Sequence, residues 1–483
     1  MVDMNTVPGQ VYRLVVEFFD DESVKIQPMP QSGSQRYYFR GTLREHSVIA
    51  AYNDNVKENM AFIAYLRHFL KKKLPVPDLY AVSDDSKAYL LEDLGDTTLF
   101  SLIPEDGLQP GNDKLLGTYK KVLTDLVRFQ TDGHQGLDYS VAYPRQNFDE
   151  RAIRWDLNYF KYYFLHVSGV DYDENKLQNG FEALINLLLE VNSDYFMYRD
   201  FQARNILLKE NQLRYIDFQG GRRGAPHYDV ASLLYQSRAD INPGVRNILL
   251  QHYLEELQKK CDFDPQQFKR ELEYFKLIRM LQVLGAYGYR GYIQQRAHFL
   301  KSVPFALESL AEVLLGAKLP SELDALRDIL KKMVEAKTDE QKKRSENLTV
   351  TLNSFSFLLD GPPEDHSGNG GGFVFDCRGL PNPGRFMEYS YMTGKDTPVI
   401  RFLEERNEVS RFVDNIERVV SQTIDNYIDR GFEHLMINFG CTGGQHRSVY
   451  CAEQLYKRLK QKYDVSFRIR HFQQDLNQIK GNE

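Results

Sequence analysis

The chain lacks the marks of an exported, membrane-spanning or strongly nucleic-acid-binding protein. Its 483 residues contain four cysteines, Cys261, Cys377, Cys441 and Cys451. They are too few and too scattered for a disulfide framework, and no pair has the close spacing of a zinc site, which points to a reducing cytoplasm. No stretch approaches the roughly 20 apolar residues that span a bilayer. The opening "MVDMNTVPGQVYRLVVEFF" lacks a basic segment followed by an uninterrupted apolar core, so the expectation is a soluble, cytoplasmic protein without a membrane partner. A net charge of −6 with mixed signs gives no global attraction for nucleic acid or anionic lipid. No Gly-x-x-x-x-Gly-Lys-Ser/Thr pattern occurs, which excludes a nucleotide-binding P-loop of that type. There is no internal repeat, and "KKK" at 71–73 reads as a solvated helix end.

What is present requires more than one core, since single domains rarely exceed about 250–300 residues. The first segment alternates strand-like runs, "RYYFRGTL", "HSVIAAYN", "LYAVSDD" and "KAYLLEDLG", with turns. Between the second and third runs, Met60, Ile63, Leu66 and Leu70 recur at helical spacing, which predicts a small antiparallel sheet with one helix packed on it. Residues 110–330 carry mainly helical spacing. A charged, helix-prone stretch then gives way to the β-rich "LTVTLNSFSFLL". The expected organisation is a first domain over 1–338, with a small lobe at 15–95 and a helical lobe at 96–338, a linker at 339–350, and a second domain at 351–483. The second domain alternates strand and helix, which argues for a mainly parallel sheet covered by helices. Its predicted strands are 351–359, 373–378, 434–439 and "VSFRIRH", with helices at 397–430 and 447–463.

The strongest chemical signal is "YRDFQARNILLKENQLRYIDFQGG", residues 198–221. Asp200 is followed five residues later by Asn205, and a predicted strand carries Asp217 twelve residues beyond. Phosphoryl transfer needs a carboxylate to accept the proton of an attacking hydroxyl and oxygen ligands to hold magnesium against nucleotide phosphates. These three residues supply that set.

Over roughly residues 15–330 the chain resembles the aminoglycoside-phosphotransferase-like kinases, relatives of the protein kinases. The fold this implies is a bilobal α+β kinase-like domain, so the whole chain is expected to be α/β in class. The resemblance makes Asp200 the catalytic base, Asn205 and Asp217 the metal ligands, and Asp229 of "YDVASLL" a structural acid. ATP and Mg2+ are the implied cofactors. Tyr198 stands where the family usually has histidine. The strand expected to carry a phosphate-gripping lysine reads "VIAAYNDN", so the usual Lys–Glu pair with Glu58 is expected to be missing. The replacement is expected one strand earlier in "QSGSQRYYFRG", where Gly33 and Ser34 form a turn over the phosphates and Arg36 or Arg40 supplies the charge. That stretch is similar to one in the anomeric amino-sugar kinases, which implies a sugar of the N-acetylmuramate or N-acetylglucosamine type as substrate. "LLEDLG" reads as the hinge, whose backbone near Glu92 and Leu94 is expected to meet the adenine edge.

Near the C-terminus stands "GCTGGQHRSV". Cysteine, five residues, then Arg-Ser is the spacing of a cysteine phosphatase loop, with Cys441 as nucleophile and Asp376 as acid. The same residues also suit passive phosphate holding. Gly443 and Gly444 amides before a helix form a nest of donors, Arg447 adds a bidentate cation, and Thr442 and Ser448 add hydroxyls.

Together with "FDCRGLPNP" and "MTGKDTPVIRFLE", this loop resembles the C-terminal domain of the RapZ family, bacterial RNase adapter proteins whose domain senses glucosamine-6-phosphate and contacts a small RNA. The resemblance implies a phosphosugar site lined by Cys441, Thr442, Gly443, Gly444, His446 and Arg447, with Asp376, Arg378 and Asn382 nearby. It implies no cysteine catalysis, and it makes self-association plausible. Gln445 stands where lysine is expected, removing one positive charge. The tail lacks the basic cluster of an RNA-binding member, so RNA is the weaker partner. The combined expectation is an amino-sugar kinase coupled to a phosphosugar-sensing domain. The alternative is a non-catalytic regulator that senses nucleotide and phosphosugar, as an RNA-binding adapter would.

Overall fold

In the computed structural model, the described residues are 7–30, 36–104, 106–316, 319–368 and 372–474, without the side chains of Ala297, His298, Gln341 and Arg344. They fall into two compact units, 1–334 and 335–483.

The first unit holds a helix near its start, α1 (Gly9–Phe19), whose Val11, Leu14 and Val15 are buried. It covers one face of an antiparallel sheet of β1 (Lys25–Pro28), β2 (Tyr37–Leu43), β3 (His46–Tyr52), β4 (Leu79–Val82) and β5 (Ala88–Glu92), in spatial order β1-β2-β3-β5-β4. The sheet therefore carries two helices, not one: Val48, Ala50 and Leu90 pack with α1, while Ala51, Tyr89 and Leu91 join the main core with α2 (Val56–Lys71). Alternate residues of each strand point to opposite faces, which is what divides them this way. Asn55 caps α2 by accepting from the Glu58 amide at 3.3 Å. Of the expected apolar stripe of α2, Ile63 and Leu66 are buried and Leu70 is partly buried, while Met60 is exposed at 53% and Phe62, Tyr65 and Phe69 widen the buried face.

The helical lobe comprises α3 (Asp113–Gln130), α4 (Glu150–Phe160), α5 (Glu174–Leu189), the short pairs β6 (Phe196–Met197) with β9 (Arg222–Arg223) and β7 (Ile206–Lys209) with β8 (Gln212–Tyr215), then α6 (His227–Leu234), α7 (Pro243–Gln258), α8 (Pro265–Gly288), α9 (Ala297–Leu300) and α10 (Val303–Gly316). Helix α11 (Asp324–Asn347) runs through most of the segment expected as a linker, and a strand follows within two residues.

The second unit holds β10 (Thr349–Ser356), β11 (Gly372–Asp376), α12 (Thr397–Glu404), α13 (Asn407–Arg430), β12 (His434–Cys441), α14 (Arg447–Lys462) and β13 (Ser466–His471). All neighbouring strands are parallel, in the order β11-β12-β10-β13. The two central strands are almost wholly buried, as parallel sheets covered on both faces require. β10 ends at Ser356, earlier than 359, because its hydroxyl accepts from the Leu358 and Leu359 amides at 3.2 Å and turns the chain. Among the described residues, no helix is long and apolar enough to cross a membrane.

Candidate active site and anion loop

The loop that carries Asp200 lies between β6 and β7, and its geometry begins with a buried acid. Asp229, fully buried on α6, accepts the Tyr198 amide at 2.8 Å and the Arg199 amide at 2.9 Å. Gln130 adds a third donor at 3.2 Å. Burial pushes Asp229 up to about 7 despite these donors. Tyr198, in the family's histidine place, braces the loop by donating its hydroxyl to the Ile216 carbonyl at 2.7 Å. Arg199 adopts a φ of +80°, a conformation that costs a non-glycine residue of order 1 kcal/mol and persists only when neighbours impose it. Its Nη2 donates to both Asp156 carboxylate oxygens, at 2.6 and 2.7 Å, and the guanidinium lies over the Tyr228 ring. Neither Asp156 nor this pairing was visible in the sequence, because 43 residues separate the partners.

The loop delivers the three expected residues to one place. The Asn205 side-chain amide donates to the Asp200 carbonyl at 2.8 Å and to the Asp217 carboxylate at 3.2 Å. Asp217 follows β8 with a φ of +70°, and Gln219 donates to its other oxygen at 2.7 Å. Burial, then the negative charge of Asp200, raises the Asp217 pKa. A cation would relieve both effects.

In the small lobe, Arg36 is 2% exposed and donates to Glu58 at 3.1 Å. An ion pair with Glu58 therefore does form, with Arg36 in place of the absent strand lysine, and its guanidinium lies over the Phe62 and Tyr89 rings. Arg40 goes elsewhere: Asp93 and Asp96 hold it at 2.7 and 2.8 Å, at the hinge. Glu92 accepts from Lys209 at 2.7 Å, which also donates to the Asp93 carbonyl. The hinge is thereby tied to the strand that follows Asn205, and Leu94 is buried beside it. Gly33 and Ser34 lie outside the described residues.

In the second unit, Thr442–His446 link the end of β12 to α14. Cys441 is 3% exposed, and its sulfur lies 3.2 Å from the Ser448 hydroxyl. Arg447 is 4% exposed and donates to the Arg378 and Leu380 carbonyls at 2.8 and 3.0 Å, with Thr442 at 3.4 Å. Its buried Nε has no hydrogen-bond partner among the described residues. His446 contacts the Tyr389 carbonyl at 2.9 Å. Gln445 is turned away, donating to the Met392 carbonyl at 2.9 Å. Gly444 has a φ of +66°, and a Cβ there would meet the Ser356 amide nitrogen at 2.9 Å, while Gly443 faces open space. Asp376 is bound on both oxygens by Arg378, at 2.7–3.0 Å, which holds it below the usual carboxylate range. Asn382 caps the next turn through the Gly384 amide at 3.2 Å.

The model of the phosphotransferase enzyme family matches residues 25–267, just over half of the chain. The chain belongs to that family. Residues 348–473 match the RapZ C-terminal domain. Among curated proteins, a nucleotide-binding protein of Neisseria meningitidis serogroup B is 40% identical over 126 residues, 26% of this chain and 42% of that protein. One of Aromatoleum aromaticum is 38% identical over 177 residues, 36% of this chain and 56% of that protein. The phosphotransferase chain thus spans about half or less of the length of these relatives. Among solved structures, a choline/ethanolamine kinase family protein from Mesorhizobium loti has 12% identity and a TM-score of 0.42, covering 63% of this chain and 92% of that one. Aminoglycoside phosphotransferase APH(4)-Ia, in ternary complex with ADP and hygromycin B, has 15% identity and a TM-score of 0.41, covering 68% and 98%.

Proposed function

We propose that this phosphotransferase transfers the γ-phosphoryl group of ATP to a hydroxyl of an amino sugar of the N-acetylmuramate or N-acetylglucosamine type, and that its C-terminal domain binds a phosphosugar such as glucosamine-6-phosphate. The observation that carries the first half is the Asn205 amide, which joins Asp200 to Asp217 within hydrogen-bond distance.

Asp200 accepts the proton of the sugar hydroxyl as its oxygen attacks the γ-phosphorus and the bond to the β-phosphate oxygen breaks. Asp217 and the Asn205 side-chain oxygen fit Mg2+: both are hard oxygen donors, and burial, then the charge of Asp200, raises the Asp217 pKa, which a bound cation would offset. Mg2+ bound there would neutralise charge on the phosphates. Arg36, oriented by Glu58, faces Asp217 closely enough to lower its pKa, which suits a role on the nucleotide phosphates. The hinge backbone from Glu92 to Leu94 is the proposed adenine contact.

In the second domain, Thr442, Gly443, Gly444 and Arg447 form the proposed phosphate cradle, with His446, Arg378 and Asn382 around it. A buried guanidinium with an unpartnered Nε, beside open glycine backbone, supports holding an anion. The phosphatase reading finds no support, since Cys441 is sealed against Ser448 and Asp376 is locked by Arg378. Transfer of label from [γ-32P]ATP to a panel of amino sugars, with and without Mg2+, tests the kinase reading. Calorimetry with glucosamine-6-phosphate tests the sensor. Measurable ATP binding without any transfer would instead favour the regulatory alternative, and binding of structured RNA at low salt would favour an adapter.

A further inference from the structure

The metal-ligand residues sit at the base of a hairpin whose far end does something else. Asn205 immediately precedes β7, and Asp217 follows β8 by two residues. The connection, Glu210 and Asn211, has φ values of +51° and +63°, a two-residue mirror-image turn that rarely forms without glycine and fixes the tip rigidly. This tip borders an open groove of about 490 Å³, away from the loop that carries Asp200, lined also by Lys73 and Pro75 after α2, by α3, and by His252 of α7. That volume lies within the range of small-molecule sites.

The lining is strongly one-signed for a chain of net charge −6. Lys73, Lys120, Lys121 and Arg128 face it, against Asp125 as the one lining carboxylate. Asp125 is already matched, holding Arg128 at 2.9 Å and the Tyr215 hydroxyl at 3.0 Å. The three lysines have no ion pair among the described residues. Lys73, the last of the "KKK" run, has a φ of +55°, a strained conformation for a side-chain-bearing residue. Arg128 fixes it by donating to the Lys73 carbonyl at 2.9 Å. The left-handed Lys73 closes the C-terminal turn of α2, with the Leu74 amide donating to the Phe69 carbonyl at 3.0 Å, and Lys73 also lines the groove. Thr124, Gln212 and Asn211 supply neutral hydrogen-bonding groups around the cations.

We propose that this groove is a second anion site, separate from the catalytic centre, which takes a compact ligand carrying at least two phosphate charges. Its occupant rests against the tip of the hairpin that positions Asn205 and Asp217, so binding there stiffens the support of the proposed metal ligands. The inference rests on charge and shape in the helical lobe and stands whether or not the acceptor is an amino sugar.

The test uses the full chain without Mg2+, with pyrophosphate and a sugar bisphosphate as probes in calorimetry. Saturable binding is expected, weakened at least about tenfold in Lys73→Gln/Lys120→Gln/Lys121→Gln and unchanged in Asp217→Asn and in the control Lys457→Gln. Tighter binding of the sugar bisphosphate assigns an organic ester, and tighter or equal binding of pyrophosphate assigns an inorganic one. Lysine acetylation followed by mass spectrometry gives a readout free of substitutions: pyrophosphate should slow labelling of Lys73, Lys120 and Lys121 and leave Lys457 alone. No binding of either probe at about 10 mM and low salt, equal weakening by Lys457→Gln, or absence of protection at the three lysines would overturn the proposal.

Discussion

Arg36 holds Glu58 at 3.1 Å, and β3 carries no lysine that could make this pair. Both side chains lie largely out of water, with Arg36 at 1% and Glu58 at 25% exposure. The arginine comes from the entry to β2 and not from β3, so the same helix acid is used with a different strand. A planar guanidinium stacked near Phe62 and Tyr89 is held in one orientation, which a lysine could not copy.

Arg36→Ala should therefore damage both stability and nucleotide use. Breaking a buried pair by removing one partner costs on the order of 3 kcal/mol, readable in urea unfolding, and the KM for ATP should rise. Arg36→Lys should restore stability in part and activity poorly. A double-mutant cycle with Glu58→Gln should show coupling of about 1 kcal/mol or more; additive effects would mean that the pair does not act as a unit.

Asp200→Asn should lower kcat by roughly 10²–10⁴-fold, the usual contribution of a general base, with the KM for ATP little changed. Asn205→Ala should raise the Mg2+ concentration needed for half-maximal rate, since it removes both a proposed ligand and the link between Asp200 and Asp217.

Asp229 gives a pH signature. Its folded-state pKa of about 7 lies above the ordinary carboxylate value of 3.8, so the folded chain binds the proton more tightly than the unfolded chain. Its contribution to stability is fully present below about pH 4 and is lost as pH rises through about 7. Relative to Asp229→Asn, the wild-type melting temperature should fall between about pH 4 and 7. Asp229→Asn should itself cost roughly 1–3 kcal/mol, because an amide cannot accept both the Tyr198 and Arg199 donors. Parallel melting curves of the two proteins across that range would refute the assignment.

How far this was legible in the sequence depended on chain separation. Asp200, Asn205 and Asp217 lie within eighteen residues, so spacing alone could pair them with a chemistry. The pairs Arg199–Asp156 and Arg447–Leu380 join residues 43 and 67 apart, and only the fold reveals them. The absent lysine and its replacement one strand earlier were both legible, but the choice between Arg36, which pairs with Glu58, and Arg40, which pairs with Asp93 and Asp96, needed the fold. Met60 satisfied helical spacing and is exposed, since Phe62, Tyr65 and Phe69 bury more surface. Gln445 looked like a missing charge in the loop, yet its side chain serves the Met392 carbonyl.

For the anion loop, Cys441→Ser should leave glucosamine-6-phosphate affinity within about threefold, since the sulfur only packs against Ser448. Arg447→Ala should abolish binding and also loosen the turn at Arg378 and Leu380, seen as a lower melting temperature. Phosphatase activity lost on Cys441→Ser would contradict this account.

The central claim is tested most directly by single-turnover transfer from [γ-32P]ATP with excess wild-type enzyme, Mg2+, and N-acetylmuramate or N-acetylglucosamine. The account predicts a labelled sugar phosphate formed in a single phase and absent with Asp200→Asn. Tight binding of ATP with no labelled sugar, or equal labelling by Asp200→Asn, would contradict it.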